Sequence, residues 1–213
     1  MQIKHTLTTL GLTLGLAFGL TMTGAAQAAP VENPAAQFGF NQKFEPNGKP
    51  IEGKPGELRS LIEFRTARGF STADFKDVEG NTVNLSEYHG KMVLVDVWAT
   101  RCEPCIRSLP AVKALQERYN KEGSDIQVIS IALDQNARRV TKFIEKHNFQ
   151  GFHTWHDPEQ KLSETLPLDV IPSFFVLDGH GHTVGFVRGF VDWSGEGVPA
   201  YLEALAKKYT KRD

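Results

Sequence analysis

The sequence has little cysteine, no excess of charge of either sign, and no apolar run long enough to cross a bilayer comfortably. Only Cys102 and Cys105 occur in 213 residues. Two thiolates cannot complete a structural zinc site unless histidines join them, and His153/His156 or His180/His182 would have to do so. Those four histidines are expected in loops and turns, so no metal is expected. Lysine and arginine number 24 against 25 acidic residues, a formal charge of -1. This leaves no electrostatic footprint for nucleic acid or an anionic membrane surface. No internal repeat or low-complexity tract is present.

The most apolar stretch, LGLTLGLAFGLTM at Leu10–Met22, falls short of the roughly 20 residues of a spanning helix. It follows Lys4 and runs into TGAAQAA, where Ala26-Gln27-Ala28 fits the small-residue pattern read by signal peptidase. Residues 1–28 therefore read as a cleaved secretory signal, cut after Ala28 or Ala29, and the chain as periplasmic. The mature chain of about 185 residues suits one domain with a full core. Its formal charge is -2, because the leader removes one lysine and no acid.

Residues 29–69 read as a Pro/Gly-rich extension, the part up to Gly56 as a loop or loosely docked arm and ELRSLIEFRTARGF as a short helix. The domain proper is placed at 70–213. DVEGNTVNL has the pattern of a hairpin turn entering a strand, and KMVLVDVW and IQVISIALD that of strands buried on both faces. Ile106, Leu109, Val112, Leu115 and Tyr119 recur at helical spacing, as do Val140, Phe143, Ile144 and His147. DPEQKLSETL predicts a helix capped by Asp157, with Pro158 and Gln160 in its first turn. SFFVLD and TVGFVRGF flank the turn GHGH as an antiparallel hairpin, and Val198, Tyr201, Leu202, Leu205 and Ala206 mark a final helix. Strand and helix alternating before a hairpin and a helix give an α/β fold with a central mixed sheet.

Both cysteines lie in VDVWATRCEPCIRSLP. Export places them in an oxidising compartment, where paired cysteines often staple a fold. A staple closing so small a ring would contribute only about 2 kcal/mol by chain entropy, against about 3 for a 15-residue loop, before any ring strain. Reactivity is the better explanation of the spacing.

VLVDVWATRCEPC resembles the active-site strand and helix start of thioredoxins. The flanks VEGNTVNLSEYHGKMVLVDVWAT and VIPSFFVLDGHGHTVGFVRG are similar to the TlpA/ResA-type exported thioredoxin-like reductases, over about residues 70–210. The resemblance implies a thioredoxin-like fold, a central mixed sheet with helices on both faces, and a redox-active Cys102–Cys105 pair that needs no cofactor. Cys102 would be the nucleophile, since a helix N-terminus favours a thiolate, and Cys105 would resolve the mixed disulfide. Pro104 sits where the helix leaves a donor unpaired in any case, and Pro110 should kink the helix. Asp96, opposite Val95 and Val97 by strand alternation, matches the buried aspartate that takes the resolving cysteine's proton. Trp98 packs beneath the site. Ile171–Pro172 matches the loop whose cis proline faces the disulfide and whose preceding residue offers backbone groups to an extended substrate.

Two positions depart from the family pattern: Arg101 stands where tryptophan is common, and Ser108 where glutamate is usual. The resemblance implies an exported oxidoreductase that reduces protein disulfides, with apocytochrome c among the candidate clients and a membrane thiol as electron donor. Glu103, beside Cys102, should oppose the thiolate and favour the disulfide. A redoxin-type thiol peroxidase and a non-catalytic binding module are the alternatives. The first would want a threonine where Ala99 stands, and the second would not need both cysteines.

Overall fold

The computed structural model describes residues 40–70 and 74–210, so the leader expected at 1–28 lies outside the described residues. The buried runs form strands and the amphipathic segments helices, in the order β1 (Lys43–Pro46), β2 (Ile62–Arg68), β3 (Phe75–Lys76), β4 (Thr82–Val83), β5 (Met92–Trp98), α1 (Glu103–Tyr119), β6 (Ile126–Ala132), α2 (Ala137–Lys146), β7 (Thr154–His156), α3 (Lys161–Thr165), β8 (Ser173–Leu177), β9 (Thr183–Arg188) and α4 (Val198–Tyr209). All nine strands join one sheet in the order β1-β2-β9-β8-β5-β6-β7-β3-β4.

The centre of the sheet explains the composition of β5 and β6. β5 runs parallel to β6 and antiparallel to β8, and every residue of β5 and β6 is buried. A strand covered on both faces reads as an unbroken apolar run. Met92, Leu94 and Trp98 face one cluster with Leu109, Val112 and Leu115 of α1, Val140 and Phe143 of α2, and Leu202 and Leu205 of α4. Val93, Val95 and Val97 face a second cluster closed by Leu162 of α3, Leu85 of the short helical turn Leu85–Tyr88, and Phe70 and Phe75.

Four expectations need correction. The segment 57–70 is not a helix: Gly56–Leu58 form one 3-10 turn, and Ile62–Arg68 pair antiparallel with β9 as β2. Its apolar residues meet a sheet edge, and sheet pairing overrides the weak helical spacing. Glu63, nearly buried, accepts from Ile51 N–H (2.7 Å), Lys208 Nζ and the Tyr209 hydroxyl, and so ties β2 to α4. Part of the arm is likewise strand, Lys43–Pro46 pairing with β2. The helix after Asp157 starts later than the capping pattern predicts. Gln160 takes a left-handed backbone at φ 56°, α3 begins at Lys161, and the Asp157 carboxylate accepts the Leu162 N–H at 2.8 Å instead. His156 belongs to β7 and is buried, whereas His180 and His182 lie in and beside the β8–β9 turn.

That turn packs against the end of α4. Gly179 donates its N–H to the Tyr209 carbonyl (3.0 Å), and a Cβ at Gly179 would come 2.4 Å from the Thr210 carbonyl oxygen. Backbone cannot yield as a side chain does, so Gly179→Ala should destabilise the fold by about 2 kcal/mol. Gly56→Ala, whose Cβ meets nothing, should change stability by less than about 0.5 kcal/mol. Urea unfolding of the two variants checks the contrast.

Candidate active site

The central strand delivers the chain to the site. After Trp98 the segment 99–101 turns, and Cys102 caps α1 in an extended backbone conformation. Cys102 and Cys105 form a disulfide with an S–S distance of 2.05 Å and Cα atoms 5.1 Å apart. The Cys105 N–H donates to Cys102 Sγ at 3.2 Å. A helix N-terminus with an N–H aimed at a sulfur favours negative charge there when the bond is reduced. Cys102 is partly exposed and Cys105 fully buried, so substrate can reach only the first sulfur. Pro104 occupies the first turn and Pro110 the interior of α1, while Glu103 is exposed in the first turn.

Sequence reasoning missed the residue that holds the turn. Asp134, at the exit of β6 and 8% exposed, accepts the Thr100 N–H at 2.8 Å and the Thr100 hydroxyl at 2.7 Å, with Arg139 4.0 Å away. An acid following a buried strand looks like an ordinary strand end, and only the fold brings it 34 residues back to the turn before Cys102. A cavity of about 330 Å³ opens beside this clamp, lined among others by Arg101, Asp134, Asn136, Arg139 and Gln160.

Facing the disulfide, the Ile171–Pro172 bond is cis. The Ile171 carbonyl oxygen lies 3.6 Å from Cys102 Sγ. The register of β8 on β5 pairs Val97 with Ser173, so Pro172 stands at the same end of the sheet as Trp98. Pro172 accepts the Gly189 N–H at 2.8 Å. Val170 and Phe190, 40% and 46% exposed, leave an apolar margin near this loop, with the Arg107 guanidinium 5.1 Å from the Phe190 ring.

Asp96 is fully buried on the face of β5 that α1 covers, its neighbours on that face being Leu94 and Trp98. The Ser130 hydroxyl donates to Asp96 Oδ2 at 3.1 Å, and Oδ1 has no hydrogen-bond partner among the described residues. Gln116 of α1 reaches the same serine at 3.5 Å and clasps His153 through two backbone bonds. Burial pushes the Asp96 carboxyl up to about 7, partly offset by the Ser130 bond. Trp98 is packing, as expected: its ring lies against Phe143 and Phe152, and its N–H donates to Thr154 Oγ1 at 3.0 Å. Ser108 is buried and donates to the Cys105 carbonyl at 2.8 Å; Arg101 is exposed.

A mixed sheet flanked by helices, with a vicinal cysteine pair at a helix N-terminus opposite a cis proline, defines a thioredoxin-fold thiol-disulfide oxidoreductase. The Redoxin family profile matches residues 61–188, and the chain belongs to that family. It is similar to the thiol-disulfide oxidoreductase ResA of Bacillus thuringiensis (strain Al Hakam), 28% identical over 134 residues, 63% of this chain and 72% of that protein. ResA of Geobacillus thermodenitrificans (strain NG80-2) is 26% identical over 141 residues, 65% of this chain and 78% of the other. A secreted thiol-disulfide isomerase from Corynebacterium glutamicum shares the fold, with a TM-score of 0.58 at 17% identity over 75% of this chain and 99% of its own. The TlpA/ResA-type resemblance therefore holds.

The raised Asp96 value fixes a sign. In the unfolded chain a carboxyl ionises near 3.8, whereas the folded one keeps its proton to about 7. Stability from this group is complete below about pH 4 and is lost as pH rises to about 7, a total of about 4 kcal/mol at roughly 1.4 per unit. Asp96→Asn removes the loss, so the oxidised variant should gain on the oxidised parent between pH 4.5 and 8 in denaturant titrations. Asp134→Ala should cost about 2 kcal/mol through the lost Thr100 bonds, measured in the same titrations.

Proposed function

We propose that the protein is an exported, periplasmic reductant of protein disulfides acting through its Cys102-Glu-Pro-Cys105 motif. The observation that carries this reading is the asymmetry of the pair, one sulfur reachable at the helix N-terminus and the other sealed beneath it. In the reduced protein the Cys102 thiolate attacks one sulfur of a client disulfide, and the other client sulfur leaves as a thiolate. Cys105 passes its proton to Asp96 and attacks Cys102 Sγ, which releases the second client sulfur and closes the Cys102–Cys105 bond. The client gains two electrons, and a thiol donor at the membrane returns them to the protein.

Position supports the Asp96 role: the carboxyl lies under the helix that carries Cys105, in a buried environment that lets it accept a proton near neutral pH. Ile171 and Pro172 form the client-binding loop, the exposed Val170 and Phe190 supplying apolar contact beside it. Residues 1–28 are the cleaved leader, 29–69 the extension, and 70–213 the catalytic domain, whose sheet takes β1 and β2 from the extension. Among the described residues no helix is long and apolar enough to cross a membrane. Clients of the c-type apocytochrome kind fit a reductase of this type, since their cysteines must be reduced before haem is attached.

Cys105→Ser should stall as a mixed disulfide on Cys102, while Cys102→Ser should trap almost nothing; non-reducing gels after expression of the exported protein read the adducts. Adducts on the Cys102→Ser protein instead would reverse the two roles. Asp96→Asn should slow client reduction most above neutral pH, and an unchanged rate–pH profile would remove the relay. Glutathione titration should give a potential well below the roughly -120 mV of a strong oxidase; a value near that figure sinks the reductant assignment.

A further inference from the structure

We propose that the β8–β9 turn, at the end of the sheet opposite the disulfide, binds a divalent transition-metal ion of the zinc type through Asp178, His180 and His182. One ligand atom from each of the three lies within 4.8 Å of the others. Two imidazoles and a carboxylate suit Zn²⁺, whose bonds of about 2.0–2.2 Å bring tetrahedral ligands to about 3.3 Å apart, a contraction that side-chain rotation supplies. The expectation of no metal arose from pairing histidines with the two thiolates; this cluster uses neither cysteine.

The turn is built to hold the carboxylate. Asp178 is 1% exposed, and its Oδ1 accepts the His180 N–H at 3.0 Å and the His182 N–H at 2.9 Å. Its second oxygen lies 3.9 Å from His182 Nδ1, on the side of the histidines. The alternation Asp-Gly-His-Gly-His keeps both imidazoles near one another, ring centroids 6.0 Å apart.

The loop before β5 packs against the same turn. Gly90 donates its N–H to the Gly179 carbonyl at 2.8 Å, which brings His89 beside the turn. Phe44 of β1 stacks on His182 at 3.9 Å between ring centroids, so an ion that fixes His182 also braces the outer strand. The seven residues of β5 set the site about 20 Å from the cysteines. Ion binding is therefore independent of the thiol chemistry and does not rest on the proposed reductase role.

The test is calorimetric titration of ZnCl₂ into the full chain in its disulfide form, where neither sulfur is a thiolate ligand, with MgCl₂ as the hard-ion control. One equivalent of Zn²⁺ should bind, Mg²⁺ should not, and the melting temperature should rise with Zn²⁺. The pair His180→Ala/His182→Ala should weaken binding at least tenfold, and His180→Ala alone, an exposed position, should shift it in the same direction without touching the stack on Phe44. A Zn²⁺ Kd weaker than about 100 µM, or one that changes less than tenfold in the double variant, overturns the site.

Discussion

The enclosure of β5 is the constraint on which the redox end depends. Neighbours on both edges and side-chain clusters on both faces leave this strand no slack, so the point at which the chain emerges from the sheet is fixed. Asp134 then grips the emerging turn through the Thr100 N–H and hydroxyl, and Cys102 caps α1 directly after it. The same strand sets the facing loop, since the pairing of Val97 with Ser173 carries Pro172 to the level of Trp98. A slip of two residues in that pairing would move the proline by about 6.6 Å and separate it from the sulfur.

Enclosure also explains the one polar residue in the strand. A carboxyl in such a place is costly as an anion and tolerable as an acid, and Ser130 supplies a single donor rather than the several that would stabilise a full charge. Burial thereby raises its pKa to about 7. Ser108, buried in the same helix as Cys105, turns its hydroxyl back to the Cys105 carbonyl.

Much of this was legible in the sequence because the patterns were local. The unbroken apolar runs of β5 and β6, the three-and-four spacing after Cys105, and the GHGH turn between β-rich segments each found their elements. Ile171–Pro172 was legible only through family resemblance, because nothing in an isoleucine–proline pair foretells a partner 69 residues away. Failures came where tertiary pairing outweighed a local signal. Leu61, Ile62 and Phe64 could fit a helix or an edge strand, and the free edge of β9 decided for the strand. The Asp157 signature was right about a backbone donor and wrong about which one, as Gln160 turned left-handed before the helix began. Asp134 carried no signal at all, since its partner is close only in space.

The two ends of the sheet carry a consequence for how polypeptides can approach. One border strand, β4, has two residues, and the other, β1, has four and closes with Pro46, which has no N–H to give. Among the described residues neither border offers a ladder long enough to template an incoming chain, the usual route by which exposed sheet edges recruit extended segments and by which they aggregate. Backbone at the redox end is presented instead at the Ile171 carbonyl, 3.6 Å from Cys102 Sγ. Terminating the sheet so abruptly makes the molecule selective about where an extended chain can be added to it.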